Sequence, residues 1–179
     1  MVARLTPQKG VDLLLAIVPA LVHRGARLLL VGQGDSRLEA ALRGESARFP
    51  GRVAARVSFD PALARRVYAG ADFFVMPSRY EPCGLTQMYA MRYGAIPIVT
   101  AVGGLVDTVT PMDAAHDVGT GFVAQAPTQT ELLVACEDAI TLYGDSQSMD
   151  AAILRAMSRN DSWKGSAKTY LELYGSLVS

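Results

Sequence analysis

Apolar residues fall along this chain in two alternating rhythms. Short unbroken runs, LLLVG at 28–32, DFFVM at 72–76 and AIPIVT at 95–100, predict strands covered on both faces. Between them the spacing changes to three and four. Val11, Leu14, Leu15, Val18 and Val22 mark one helix, and Leu38, Ala41 and Leu42 mark another. Pro19 removes a backbone donor inside the first, so a bend or a delayed start is expected there. A weaker strand is expected at 52–59 (RVAARVSF), a short helix over 61–70 (PALARRVYAG) and a last strand at 121–124 (GFVA). Beyond Pro127 the pattern is helical: TELLVACEDAITLYG, a stretch around 147–159, and SWKGSAKTYLELYGSL.

Strands alternating with amphipathic helices predict an α/β fold with a doubly wound parallel sheet. With 179 residues, half of them hydrophobic, the chain has material for one core and one domain. In the last helix Trp163, Ala167, Tyr170, Leu171 and Tyr174 share one stripe, which reads as a docking surface and a route to self-association. Met1, Val2 and Ala3 leave almost nothing for a strand before Arg4, so residues upstream are expected to be missing.

Charge narrows the partners. Lys plus Arg and Asp plus Glu both total 17, so no net field draws nucleic acid or an anionic membrane, and neither is expected as a partner. Any anion site must be local. No apolar run is long enough to span a bilayer, and no secretory leader is visible. Cys83 and Cys136 are too few for a disulfide framework, which fits a reducing compartment.

In a sheet of this type ligands sit beyond the carboxyl ends of the strands. DFFVM leads directly into PSRYEPCGLTQ, where a helix is expected to open near Gly84. Its free N–H groups and the Thr86 hydroxyl suit a phosphate, Gly84 permits close approach, and Glu81 is placed for sugar hydroxyls. Alternatively, Thr86 and Glu81 merely satisfy the helix end. RLTPQKG sets Arg4 and Lys9 around a second strand-end loop, with Gly10 opening a helix; the two cations either grip a diphosphate or are simply solvated. VGQGDSRL imitates a dinucleotide fingerprint, but Arg37 stands at the third glycine position, so Gly32 and Gly34 permit a turn and Asp35 caps the next helix. GGL at 103–105 is either a ligand contact or a tight turn. His23 and His116 lie near no cysteine or carboxylate at ligand spacing and no DxD pair is present, so no metal is expected. Ser78 lacks a G-x-S-x-G setting, and Cys83, without a base nearby, reads as a small packing residue or a backbone contact.

Taken in order, RLTPQKGVDLL, GQGDSRLEAAL, YAGADFFVMPSRYEPCGLTQMYAMRYGAIPIV, GGLVDTV and SWKGSAKTYLELY resemble bacterial glycogen synthases and plant starch synthases across essentially the whole chain. The resemblance implies one Rossmann-like half of a GT-B glycosyltransferase, residues 1–179 forming the carboxyl-terminal nucleotide-sugar-binding domain without its amino-terminal partner. It implies retaining transfer of glucose from ADP-glucose to the nonreducing end of an α-1,4-glucan, with no cofactor or metal and with ADP as product. Arg4, Lys9 and Glu81 would be catalytic, the cations on the donor diphosphate and Glu81 against the glucose. Cys83, Gly84, Leu85 and Thr86 would hold sugar and phosphate oxygens, Gly32 and Gly34 would line the cleft, and Ser58 and Phe59 would flank the adenine, Phe59 replacing the family tyrosine. Thr100, Ala101 and Val102 stand where relatives usually carry a basic residue. The glucan acceptor would bind through the absent domain with its KxGGL loop, so the chain alone is expected to be inactive. Bacterial cytoplasm is implied, or a plastid were a transit peptide missing. Two further readings stay open: an assembly or regulatory module of the same fold, and a retaining enzyme using a UDP-sugar.

Overall fold

Among the described residues five short strands carry the fold: β1 (Leu28–Val31), β2 (Val53–Arg56), β3 (Phe73–Met76), β4 (Ile96–Thr100) and β5 (Phe122–Ala124). A computed structural model gives their arrangement and describes residues 1–113 and 117–178; His116 lies outside the described residues. Every hydrogen-bonded pair of these strands is parallel, in two sections ordered β1-β2 and β3-β4-β5. β2 stops at Arg56, short of the expected 59.

The helices are α1 (Val11–His23), α2 (Ser36–Arg48), α3 (Pro61–Gly70), α4 (Thr86–Arg92), α5 (Gly104–Thr108), α6 (Gln129–Tyr143), α7 (Ser146–Ser158) and α8 (Trp163–Val178). α1 starts at once after Gly10 and runs through Pro19 to His23, so its start is not delayed; the ring deprives one carbonyl of its partner and the flanking turns hold. Asp35 accepts from the Arg37 and Leu38 N–H groups and so caps α2, as its place in the sequence predicts. Asp60, Thr128 and Asp145 cap α3, α6 and α7 in the same way.

Side-chain alternation explains the layers. Phe73, Val75, Ile96 and Ile98 pack on one face with Leu14 of α1, Leu132 and Ala139 of α6 and Met149 of α7. Their neighbours Phe74, Met76 and Val99 turn to the other face, against Tyr68 of α3, Ala90 of α4 and Leu105 of α5. Helices thus cover both faces, which is why these strands read as continuous apolar runs.

Met1–Leu5 runs parallel beside β1, although the sequence promised almost no strand there. The Ala3 N–H donates to Val31 O at 3.1 Å, the Val31 N–H to Met1 O at 3.0 Å and the Leu5 N–H to Gln33 O at 3.0 Å. At the other end none of residues 163–177 of α8 is buried, and Trp163, Ala167, Tyr170, Leu171 and Tyr174 are all exposed. Its apolar stripe is unpartnered among the described residues. No described helix is long and apolar enough to cross a membrane.

Candidate functional site

Two stretches far apart in sequence meet at the carboxyl end of β3: the loop Arg4–Gly10 and the segment Pro77–Leu85. Gly10 has φ +64°, and a Cβ there would sit 1.8 Å from the Pro77 carbonyl oxygen, so glycine alone allows the approach. Around this contact the Arg79 N–H donates to Gln8 O at 2.8 Å, and Gln8 Nε2 donates to Tyr80 O at 3.2 Å. The Arg79 guanidinium donates to both Asp12 carboxylate oxygens, at 2.6 and 2.7 Å, and to Pro7 O at 2.7 Å. These bonds hold the Asp12 carboxyl below its usual range and raise Arg79 in turn.

The join encloses a cavity of about 210 Å3 whose walls include Arg4, Lys9, Met76, Ser78 and Thr86. Lys9 Nζ lies 2.5 Å from Glu81 Oε2, and Ser78 Oγ donates to the same oxygen at 3.1 Å. Glu81 is buried, and its Oε1 has no partner among the described residues. The Arg4 side chain is exposed and forms no hydrogen bond or ion pair among the described residues. Thr86 Oγ1 rests 3.1 Å from Met76 Sδ. One cation is therefore already half-neutralised, while the other faces the cavity uncompensated.

Other expected site residues take different places. α4 begins at Thr86 with Leu85 as its N-cap and no side-chain capping bond, so neither Thr86 nor Glu81 serves as a cap. With seven residues, α4 adds little dipole of its own. Gly84 has φ +71°, but a Cβ there would lie 2.6 Å from Gln87 Oε1, so the space it leaves is filled by the chain's own amide. Gln87 is fully buried and donates to Cys83 O, Gly84 O and Thr108 Oγ1 at 3.3, 3.0 and 2.9 Å. Cys83 and Leu85 are exposed on this loop and are not among the cavity walls. Gly32 and Gly34 abut the Met1–Leu5 backbone: a Cβ would lie 1.8 Å from Ala3 O and 2.4 Å from Leu5 O, so they admit the strand that carries Arg4 and do not themselves line the cavity. Ser58 and Phe59 follow β2, away from the cavity walls; Phe59 is 82% exposed. The Gly103–Gly104 pair is a packing device. A Cβ at Gly103 would sit 2.0 Å from Glu81 O and one at Gly104 2.4 Å from Cys83 O, and the Gly104 N–H donates to Glu81 O at 3.0 Å.

Sequence reasoning assigned no supporting role to Arg79, Asp12, Gln87 or Thr100, whose buried hydroxyl donates to Ser78 O. Among the described residues no group of three or more His, Cys, Asp or Glu could hold a metal ion.

Comparison with known proteins extends this picture. The sequence pattern of the "Glycosyl transferases group 1" family matches residues 1–157. The chain is 46% identical over 178 residues to a glycogen synthase of Halorhodospira halophila, covering 99% of this chain and 37% of that protein. It is 45% identical over 180 residues to glycogen synthase 2 of Agrobacterium fabrum, covering 35% of it. The chain therefore spans little more than a third of the length of these relatives. Among solved structures it is similar to the catalytic domain of starch synthase IV from Arabidopsis thaliana bound to ADP and acarbose, with TM-score 0.85 and 35% identity over 97% of this chain and 37% of that one. TarM, at 16% identity and TM-score 0.75, shares the fold. Parallel strands, helices on both faces and these matches lead to one conclusion: the chain belongs to the group 1 glycosyl transferases and carries one half of a GT-B fold.

Proposed function

We propose that this chain is the donor-binding half of a glycogen or starch synthase, and that the cavity between Arg4, Lys9 and Thr86 receives the diphosphate of ADP-glucose. The observation that carries the reading is the meeting of two cations, a hydroxyl and a buried carboxylate at one strand end. At about 210 Å3 the cavity is smaller than most small-molecule sites, so it suits a phosphate-sized part of the ligand rather than a whole nucleotide sugar. Arg4, uncompensated, takes the more exposed phosphate. Lys9 exchanges part of its bond to Glu81 for a phosphate oxygen, and Glu81 Oε1 accepts from a glucose hydroxyl. Charge accumulates on the diphosphate as the sugar bond breaks, so these cations stabilise the transition state more than the bound donor. The glucan acceptor and its surface belong to a second domain of the full enzyme.

Titration calorimetry with ADP and with ADP-glucose tests the reading. Weak binding of both is expected, and a folded protein giving no heat at millimolar ligand overturns it. Lys9→Ala should weaken ADP binding roughly ten- to a hundredfold, since a charge-assisted contact contributes about 1.5–3 kcal/mol. Lys164→Ala, on exposed α8, should leave it unchanged; equal losses reject the placement. Competition between ADP-glucose and UDP-glucose decides the nucleotide.

A further inference from the structure

Glu81 and Thr86, both parts of the proposed donor site, are joined by Pro82–Leu85, a segment outside every strand and helix. Pro82, Cys83 and Leu85 are exposed and Gly84 has no side chain, so burial of its own residues does not anchor the segment. Its backbone is held by α5 instead. At one end the Gly104 N–H donates to Glu81 O at 3.0 Å. At the other, Gln87 Nε2 reaches Cys83 O at 3.3 Å, Gly84 O at 3.0 Å and, on α5, Thr108 Oγ1 at 2.9 Å.

An amide nitrogen carries two protons, so these three acceptors must share them. The shortest contact takes one proton to Thr108, and the other is divided between two consecutive carbonyls. The Thr108 hydroxyl is itself fixed. Its proton goes to Gly104 O at 2.6 Å, the bond a helical threonine commonly makes to the carbonyl four residues back, which leaves the oxygen to accept. The bonds thus close a ring from Glu81 O through Gly104, Thr108 and Gln87 to Gly84 O. Gln87 Oε1 is buried and has no hydrogen-bond partner among the described residues, a loss that an apolar side chain of similar length would avoid. The residue therefore serves through its donor end. We infer that Thr108 is a positioning residue for the nucleotide-sugar donor: acting through Gln87, its hydroxyl fixes the Cys83–Gly84 backbone and so the placing of Glu81 against Thr86. Thr108 is not among the cavity walls and acts at one remove. Its effect on binding rests on the donor reading above, whereas the ring of bonds does not.

Thr108→Val removes the hydroxyl and keeps the shape, and Thr108→Ser keeps the hydroxyl. In NMR of the isotope-labelled chain, the Gln87 side-chain amide should exchange with water far more slowly than that of exposed Gln147. Thr108→Val should speed its exchange and that of the Gly104 amide roughly tenfold, and Thr108→Ser should leave both slow. Titration calorimetry should show ADP binding weakened roughly three- to tenfold by Thr108→Val, the loss of one neutral hydrogen bond, and restored by Thr108→Ser. In a Gln87→Met background Thr108→Val should cost nothing further, because the route through the amide is already gone. Equal losses in the valine and serine variants overturn the inference, as do losses that add in the double variant or a valine variant that binds as the unmutated chain does. Should Thr108→Val not fold, the unmutated chain decides: a Gln87 amide that exchanges as fast as that of Gln147 overturns the inference. An unmutated chain that gives no heat with ADP overturns the donor reading instead, and unchanged exchange in folded Thr108→Val is then what removes Thr108 from its role.

Discussion

Arg79 is not itself one of the cavity walls, yet it fixes where they stand. Its fork to Asp12 spans 67 positions and ties the Lys9 loop to the Glu81 segment. Both partners are substantially exposed, so the pair contributes no more than about 1 kcal/mol to folding. Arg79→Ala should therefore leave the protein folded while weakening ADP binding by up to roughly fivefold, read by calorimetry beside a thermal melt. No spacing rule reports a contact of such range, which is why Arg79 and Asp12 were not legible in the sequence. Arg4, Lys9 and Thr86 were, because strand-end position is a local property. Gly84 was read as making room for a ligand; its neighbour Gln87 occupies that room, a competition that depends on a rotamer and leaves no trace in spacing. The cysteines separate cleanly. Cys136 is buried with its thiol pushed up to about 12 by desolvation and by Glu137, whereas Cys83 is exposed. Iodoacetamide at neutral pH should label one cysteine per folded chain, and peptide mapping should place it at Cys83.

Among the elements, those with sustained periodicity were legible, and the short ones were not. β3 and β4 announce themselves because both faces are covered. α5 has five residues, the first of them Gly104, too few for any helical repeat to emerge, and its position is set by the backbone of Glu81 and Cys83. The Met1–Leu5 stub depends on one ladder edge, which hydropathy does not record. That stub carries a pH signature. The unfolded chain takes up a proton on its amine below about 8.0, while the folded chain resists until about 5. Between those limits the unfolded state binds more protons, so stability rises with pH through the window and levels above it, at a slope approaching 1.4 kcal/mol per unit. Urea midpoints measured from pH 5 to 9 should trace this rise, and acetylating the Met1 amine should flatten it.

For the molecule as a whole, α8 stands apart: among the described residues its apolar stripe finds no partner. Leu171 and Trp163 are 71% and 81% exposed, on a helix in which none of residues 163–177 is buried. The stripe was legible from its spacing; its lack of a partner in this chain was not, because amphipathicity names a face and not what covers it. Such a surface favours association, so light scattering should give an apparent mass that rises with concentration, and Leu171→Asp with Tyr174→Asp should hold it at the monomer. The two ends of the chain are thus unlike. Met1 threads into the seam of the sheet, whereas α8 stands clear of the body. Laboratory handling inherits the difference: a polyhistidine purification tag fused ahead of Met1 would draw hydrophilic residues through a greasy doorway, and one fused beyond α8 would trail harmlessly in water.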